Sequence, residues 1–202
     1  KDMIEDERIL KWFCTNPPKK YSSDKIIPLP IGFEERERAG GNQELIKKYY
    51  NKKIKFTDKK DKILLPYHDL ATNPQRQSLF FQLSQLPFVE TRSEKLSWEK
   101  YIKLIDEYKF VICLEGSGPD IHRNYECLLV NTVPINIENA VKKVFDYHRL
   151  PGLFIKSWDE LSNENFKNYC EQKYCFKNVD EFMKIRYFKN MIDKFKGEEN
   201  ED

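Results

Sequence analysis

Phe110 to Ile137 reads FVICLEGSGPDIHRNYECLLVNTVPINI, and the order of its parts decides the fold. Phe110-Val111-Ile112-Cys113-Leu114 is apolar at every position, as expected of a strand covered on both faces rather than one with a wet side. The glycine-containing turn Glu115-Gly116-Ser117-Gly118 follows. Pro119 and Asp120 then open a helix that the pattern carries to about Val130. Val133-Pro134-Ile135-Asn136-Ile137 is a second apolar strand just beyond it. A strand, a crossover helix and a second strand this closely spaced imply parallel pairing.

The cadence repeats on either side. Upstream, Ile63-Leu64-Leu65 reads as a short strand, and Thr72-Asn73-Pro74 opens a helix to about Leu86, with Asn73 as cap and Pro74 at its first position. Pro87-Phe88-Val89 is another short strand. Ser97 caps a helix whose buried face is Trp98, Tyr101, Ile102, Leu104 and Ile105. Downstream, Leu153-Phe154-Ile155 gives a fifth strand, and Ser157-Trp158-Asp159-Glu160 is a capping box opening a further helix. From Val179 to Phe195, Phe182, Ile185, Phe188, Ile192 and Phe195 recur at helical spacing. The fold expected is α/β, a Rossmann-like parallel sheet with helices on both faces, because right-handed crossovers place them there.

The first 62 residues read differently. Met3 to Phe13 has an acidic-then-apolar pattern that predicts a helix, broken by Pro17-Pro18 and Tyr21-Ser22-Ser23-Asp24. Ile26-Ile27-Pro28-Leu29-Pro30-Ile31-Gly32 is extended, since a residue before proline is pushed out of the helical region. Residues 34 to 62 are rich in Glu, Arg and Lys, with one helical stretch from Leu45 to Tyr50. The organisation expected is a closing helix or linker over 1–25, the α/β domain over 26–196 and an acidic tail over 197–202.

The chain has 202 residues, enough for one well-cored domain, with 40% hydrophobic and 34% charged residues. This balance excludes collagen-like, low-complexity and wholly disordered chains. No apolar run reaches the roughly 18 residues of a membrane helix, and no leader-like pattern opens the sequence. Lys and Arg number 35 against 33 Asp and Glu, for a net charge of +2, which argues against a dedicated nucleic-acid partner. Five widely spaced cysteines without a CxxC pair, and three scattered histidines, do not form a metal-ligand pattern. Cys113 and Cys127 read as small buried hydrophobes, while Cys170 and Cys175 are either paired or free thiols. Free thiols and the absence of an Asn-x-Ser/Thr acceptor point toward a cytosolic-type compartment.

The chemistry sits after the third strand, where ligands of open α/β sheets bind. The amino end of the helix offers unpaired N–H groups and a partial positive charge, which suit a phosphate. Arg123 adds a full charge in a forked geometry. Glu126, three residues on and on the same face, is placed to accept hydrogen bonds from a ribose diol. Together these groups would hold a nucleoside diphosphate. The plain alternatives stay open: a Gly-Ser-Gly turn is common, Arg123 and Glu126 can pair with each other, and His122 can be a satisfied helix-face residue. Neither GxGxxG nor a phosphate-loop sequence occurs, so dehydrogenase and ATPase readings are weak.

The same run resembles the donor-binding signature of exostosin-like glycosyltransferases, in which a Gly-x-Gly turn is followed by Asp-x-His-Arg-x-(Trp/Tyr)-Glu and, further on, a Pro-containing strand. "IIPLPIG" (Ile26 to Gly32), "TNPQR" (Thr72 to Arg76) and "LPGLFIKSWDEL" (Leu150 to Leu161) resemble flanking parts of that family. The similarity spans about residues 26 to 165. It departs at Asn131, where a glycine is usual, and at Cys127, where an alanine is usual. The resemblance implies a GT-B architecture of two facing Rossmann-like domains, of which this chain would be the carboxyl-terminal half. It assigns the donor ribose to Glu126 and the diphosphate to Arg123, with Arg76 as a second phosphate ligand. Glu115, Gly116, Ser117 and Gly118 would form the phosphate turn, and Asp120 and His122 would lie near the sugar.

The activity implied is metal-independent transfer from a UDP- or GDP-linked sugar to a hydroxyl of a glycan or protein, with no further cofactor. It also implies a preceding domain, and a start at Lys1 rather than Met fits a piece of a longer chain. A Golgi lumen then stands beside the cytosol as a location, if the whole protein is anchored. For a base acting on the acceptor hydroxyl, His68, Asp69 and Glu90 lie near strand ends and are weak candidates. Two other readings compete: a non-catalytic Rossmann-like interaction module, and a nucleic-acid binder using Lys47 to Lys62 with Tyr49, Tyr50 and Phe56 interleaved.

Overall fold

Where Met3 to Phe13 predicts a helix, the chain makes one 3-10 turn (Met3–Glu5) and then a strand, β1 (Trp12–Thr15). A helix that short is marginal by itself. Here β1 instead gains hydrogen bonds from parallel pairing with β2 (Ile26–Leu29), so tertiary pairing overrides the local pattern. These and all following observations come from a computed structural model that describes residues 3–17 and 23–197. Pro18, Tyr21 and Ser22 of the expected break, and the acidic residues 198–202, lie outside the described residues.

Helix α1 (Gln43–Tyr50) follows, capped by Asn42, whose side chain accepts from the amides of Glu44 and Leu45. The main sheet then forms from β3 (Lys60–Leu65), β4 (Val89–Thr91), β5 (Tyr108–Ile112), β6 (Val133–Ile137) and β7 (Leu153–Ile155). All its pairs are parallel, in the order β4-β3-β5-β6-β7. Crossover helices are α2 (Gln75–Ser84), α3 (Trp98–Asp106), α4 (His122–Leu129) and α5 (Ala140–His148). The Rossmann-like α/β reading therefore holds, and it explains why Phe110 to Leu114 is apolar throughout: both faces of β5 are covered.

On one face, Leu79, Phe80 and Leu83 of α2 pack on Ile63, Leu65, Phe110 and Ile112. On the other, Ile102 and Ile105 of α3 and Cys127 and Leu129 of α4 pack on Leu64, Val111 and Cys113. Phe110, Val111 and Ile112 are fully buried, at about 1.5–3 kcal/mol per side chain. Exposed ion pairs contribute at most about 1 kcal/mol each, so apolar burial along this central strand sets the architecture.

Three further differences have local causes. Helix α5 was not expected, although Val141, Val144, Phe145 and His148 have helical spacing. It starts on the Asn139 side chain, which accepts from the Val141 amide, and ends at Arg149 in a left-handed conformation (φ 53°). The capping box at Ser157 opens only a 3-10 turn (Trp158–Glu160), because buried Leu161 leaves the helical region; α6 (Asn163–Glu171) starts afresh on Ser162. The last helical stretch divides into α7 (Lys177–Phe182) and α8 (Ile185–Gly197).

Part of the lysine-rich connector is engaged in ion pairs. Lys48 bonds Glu99 at 2.9 Å, Lys60 bonds Glu107 at 2.7 Å, and buried Lys59 bonds Asp106 at 2.6 Å. Tyr49 donates to Glu99 and Tyr50 to Asp180, while Phe56 packs on Phe110. The aromatic residues interleaved there are thus engaged within the domain. Among the described residues no helix is long and apolar enough to cross a membrane.

His148 ties the ends of the domain together. Its Nε2–H donates to Pro28 O at 3.0 Å just after the proline kink of β2, and its Nδ1 accepts from the Tyr187 hydroxyl of α8 at 2.9 Å. The Nε2 proton assignment follows because a carbonyl can only accept. Burial holds this imidazole below its ordinary pKa, so the folded state favours the neutral ring while the unfolded chain takes up a proton below about pH 6.5. Its stabilisation is therefore present above that pH and is lost as pH falls through the depressed value. The slope from this one group is limited to about 1.4 kcal/mol per pH unit. Thermal unfolding of wild type and His148→Gln between pH 7.5 and 5 checks this: wild type loses more stability on acidification, and parallel curves would contradict the assignment.

Candidate functional site

The strand order reverses beside β3. The connection from β3 runs through α2 on one face of the sheet, and that from β5 runs through α4 on the other. The loops leaving the carboxyl ends of β3 and β5 therefore part, and a crevice opens between them. A cleft of about 770 Å³ lies there, lined by Tyr67, His68, Asp69, Arg76, Trp98, Tyr101, Ser117, His122, Arg123 and Glu126, among others. Residues distant along the chain, from Tyr67 to Glu126, meet in this one place.

Arg123, in the first turn of α4, is held from three directions. Nε donates to the Tyr101 hydroxyl at 2.8 Å, Nη2 donates to Tyr67 O at 2.7 Å, and Nη1 bonds His68 Nε2. The guanidinium carries five N–H donors, so two remain for a ligand. Arg123 does not pair with Glu126 by hydrogen bond or ion pair in the described residues, which sets aside the simple helix-face pair.

Glu126 is 7% exposed. Its Oε1 accepts from Trp98 Nε1 at 2.7 Å, which joins α4 to α3; among the described residues no hydrogen bond reaches Oε2. Burial raises its carboxyl pKa, opposed by the Trp98 bond and by the charges of Arg123 and His122. His122 donates from Nδ1 to Gly32 O at 2.8 Å, which keeps the neutral ring's lone pair on Nε2. Gly32 has φ +71°, a left-handed turn that favours glycine, and that turn aims its carbonyl back at α4. His122 is thus satisfied at one nitrogen, and among the described residues no hydrogen bond reaches the other.

Other sequence candidates take structural places. Arg76 is 7% exposed and donates to three carbonyls: Glu115 O at 2.8 Å, Asp69 O at 2.9 Å and Leu114 O at 3.0 Å. It clamps the two strand-end loops at the cleft floor rather than standing free for a phosphate. Glu115 turns its carboxylate away, to Asn139 Nδ2 at 2.7 Å. Of the turn Gly116-Ser117-Gly118, Ser117 lines the cleft. Neither glycine adopts a positive φ, and a Cβ on Gly116 would meet Arg76 Nη2 at 3.3 Å, so packing against the clamp is the constraint there.

Asp120 corrects an expectation. It does not start the helix, which begins at His122, and it is 6% exposed rather than open to a sugar. Oδ2 accepts from Ile31 N at 3.0 Å and from the Tyr125 hydroxyl at 2.6 Å, and Oδ1 accepts from Asn124 Nδ2 at 3.2 Å. Burial, the largest influence, raises its carboxyl pKa although these donors oppose it. Asp120 fastens the segment leaving β2, and so Gly32, against α4.

Among the three base candidates, His68 is 2% exposed. Its Nδ1–H donates to Pro66 O at 2.7 Å, and its Nε2 lone pair receives both Leu114 N at 3.3 Å and Arg123. It has no lone pair left for a substrate proton. Glu90 is not at the cleft; it accepts from the Tyr108 hydroxyl at 2.5 Å. Asp69 does line the cleft, exposed, with Oδ1 on the Ala71 amide. The sequence reading placed Trp98 and Tyr101 only in the core. Their polar tips were the available signal, since a buried indole N–H or phenol O–H seeks a partner.

All five cysteines are free thiols. No protein-family model matches the chain, and no curated protein matches it.

Removing the Asp120 carboxylate leaves two buried donors, on Asn124 and Tyr125, and one half-buried donor, Ile31 N, without an acceptor, and a buried unsatisfied group costs about 1–3 kcal/mol. Allowing for partial relaxation, Asp120→Ala lowers the unfolding free energy by about 2–4 kcal/mol, measured by urea denaturation. An unchanged midpoint would show that the latch contributes nothing.

Proposed function

We propose that this chain is the donor-binding α/β domain of a glycosyltransferase. On this reading the cleft takes a UDP- or GDP-linked sugar and presents it for transfer to a hydroxyl of a glycan or protein. The observation that carries the reading is the pairing, inside one cleft, of a half-buried guanidinium with two unused N–H donors and, one turn on, a buried carboxylate with one unused oxygen. The first matches a diphosphate in charge and geometry; the second matches a ribose diol, which needs an acceptor. His122, anchored to Gly32 O through Nδ1, turns its other ring nitrogen to the same wall.

The resemblance of Phe110 to Ile137 to exostosin-like transferases supports the same reading, and its departures are mild. Asn131 sits at φ +57° and closes α4 in a Schellman motif, with Asn131 N on Leu128 O and Thr132 N on Cys127 O. Asparagine is the usual substitute for glycine at such a position. Cys127 is fully buried in the core, where a small side chain is required. Arg76, on this reading, acts through the loops it clamps. In a GT-B enzyme a facing domain would supply further acceptor contacts, and in this chain Asp69 is the exposed carboxylate among the proposed bases that lines the cleft.

The test is isothermal titration with a panel of UDP- and GDP-sugars. Binding is expected with at least one donor, and Glu126→Gln, which keeps an acceptor for Trp98 but replaces the free oxygen, weakens it about tenfold or more. The absence of heat with every donor, or unchanged affinity in Glu126→Gln, overturns the reading.

A further inference from the structure

The buried imidazole at the base of the cleft has no part in the reading above, yet it touches the residue on which that reading depends. His68 sits just beyond β3, 2% exposed, in a position where a histidine has little access to solvent. One nitrogen is committed by Pro66 O, which can only accept, so the proton is on Nδ1 and the lone pair is on Nε2. That lone pair faces Arg123 Nη1 and Leu114 N. Arg123 is therefore oriented by an acceptor that carries no charge.

The choice of acceptor has consequences. A carboxylate in this place would hold the guanidinium equally well but would neutralise it, and the cleft would lose its attraction for an anion. A neutral imidazole fixes the fork without adding a directly bonded counter-charge to it. The remaining holders, the Tyr101 hydroxyl and Tyr67 O, are also uncharged. Arg76 from α2 lies near enough to act on the same ring electrostatically. A protonated His68 would put a third positive charge between two guanidiniums and turn an N–H toward Arg123 Nη1, which would break the brace. Burial and Arg123 together depress the His68 pKa well below the ordinary histidine value, in keeping with a ring held neutral.

We propose that His68 is a positioning residue for anion capture: as a neutral Nδ1–H imidazole it locks Arg123 in the orientation that receives the phosphates of a ligand. The proposal rests on the reading that the cleft takes a phosphate-bearing ligand, and its test separates the two.

Wild type, His68→Phe and His68→Gln are titrated with inorganic pyrophosphate, UDP and GDP, with near-ultraviolet circular dichroism as the check of folding. His68→Phe removes the acceptor and raises the dissociation constant about tenfold or more, while His68→Gln, whose amide oxygen can accept from Arg123, recovers most of the affinity. Folded His68→Phe protein binding like wild type overturns the proposal while leaving the donor reading intact. Pyrophosphate binding that is lost in His68→Phe without any response to UDP or GDP supports the positioning role and removes the nucleotide. No binding of any of the three by wild type overturns both. Long-range ¹H–¹⁵N spectra of wild-type histidines give a readout that does not depend on the variants folding. The expected signature is a neutral His68 ring protonated at Nδ1 at pH 7, shifted by pyrophosphate; an Nε2–H or charged ring overturns the proposal.

Discussion

A guanidinium removed from water must find acceptors, and the way Arg123 finds them organises the carboxyl end of this sheet. Its three partners come from the loop after β3, from α3, and again from the β3 loop through His68. None of them is an acid. Burying a charge is costly unless hydrogen bonds replace its hydration; here uncharged groups do so, and the acid that acts on it, Glu126, acts through space without a hydrogen bond. The strand-end loops on either side are in turn clamped by Arg76, which spends its donors on three backbone carbonyls. Two neighbouring arginines thus have different duties: one holds the walls and the other faces the opening.

The amino-terminal segment takes part through a single acid. Asp120 binds Ile31 N, Gly32 turns, and Gly32 O receives His122. His148 anchors the same segment one step earlier, at Pro28, and ties it to α8. The β1–β2 pair is therefore coupled to the cleft by a short chain of hydrogen bonds rather than by extension of the main sheet.

Much of the architecture was legible because it rests on short-range pattern. Five apolar runs alternating with capped helices led to a parallel sheet, and the run from Phe110 to Leu114 showed that both faces are covered. The failures were equally physical. Trp12 to Thr15 became a strand because Ile26 to Leu29 offered a partner, which no local pattern reports. Val141, Val144, Phe145 and His148 carried a helical period that went unread among the shorter signals. Phe182 and Ile185 share a period but lie on separate helices, since periodicity does not register a break between them.

At the cleft the division follows the same line. Residue type and spacing along one helix sufficed to single out Arg123 and Glu126, because side chains three apart on a helix share a face. They could not tell which of Arg76, Asp120, His68 and Glu90 would be free, because that depends on acceptors and donors distant in the chain. Asp120 and Ile31, Arg76 and Leu114, His68 and Arg123 meet only once the sheet has formed. The amino-acid sequence by itself determined a covered parallel sheet and a charged pair at the start of one crossover helix. Only the tertiary structure decided which polar groups are consumed in holding that pair and which are left open, since hydrogen-bond capacity is finite and is shared out in three dimensions.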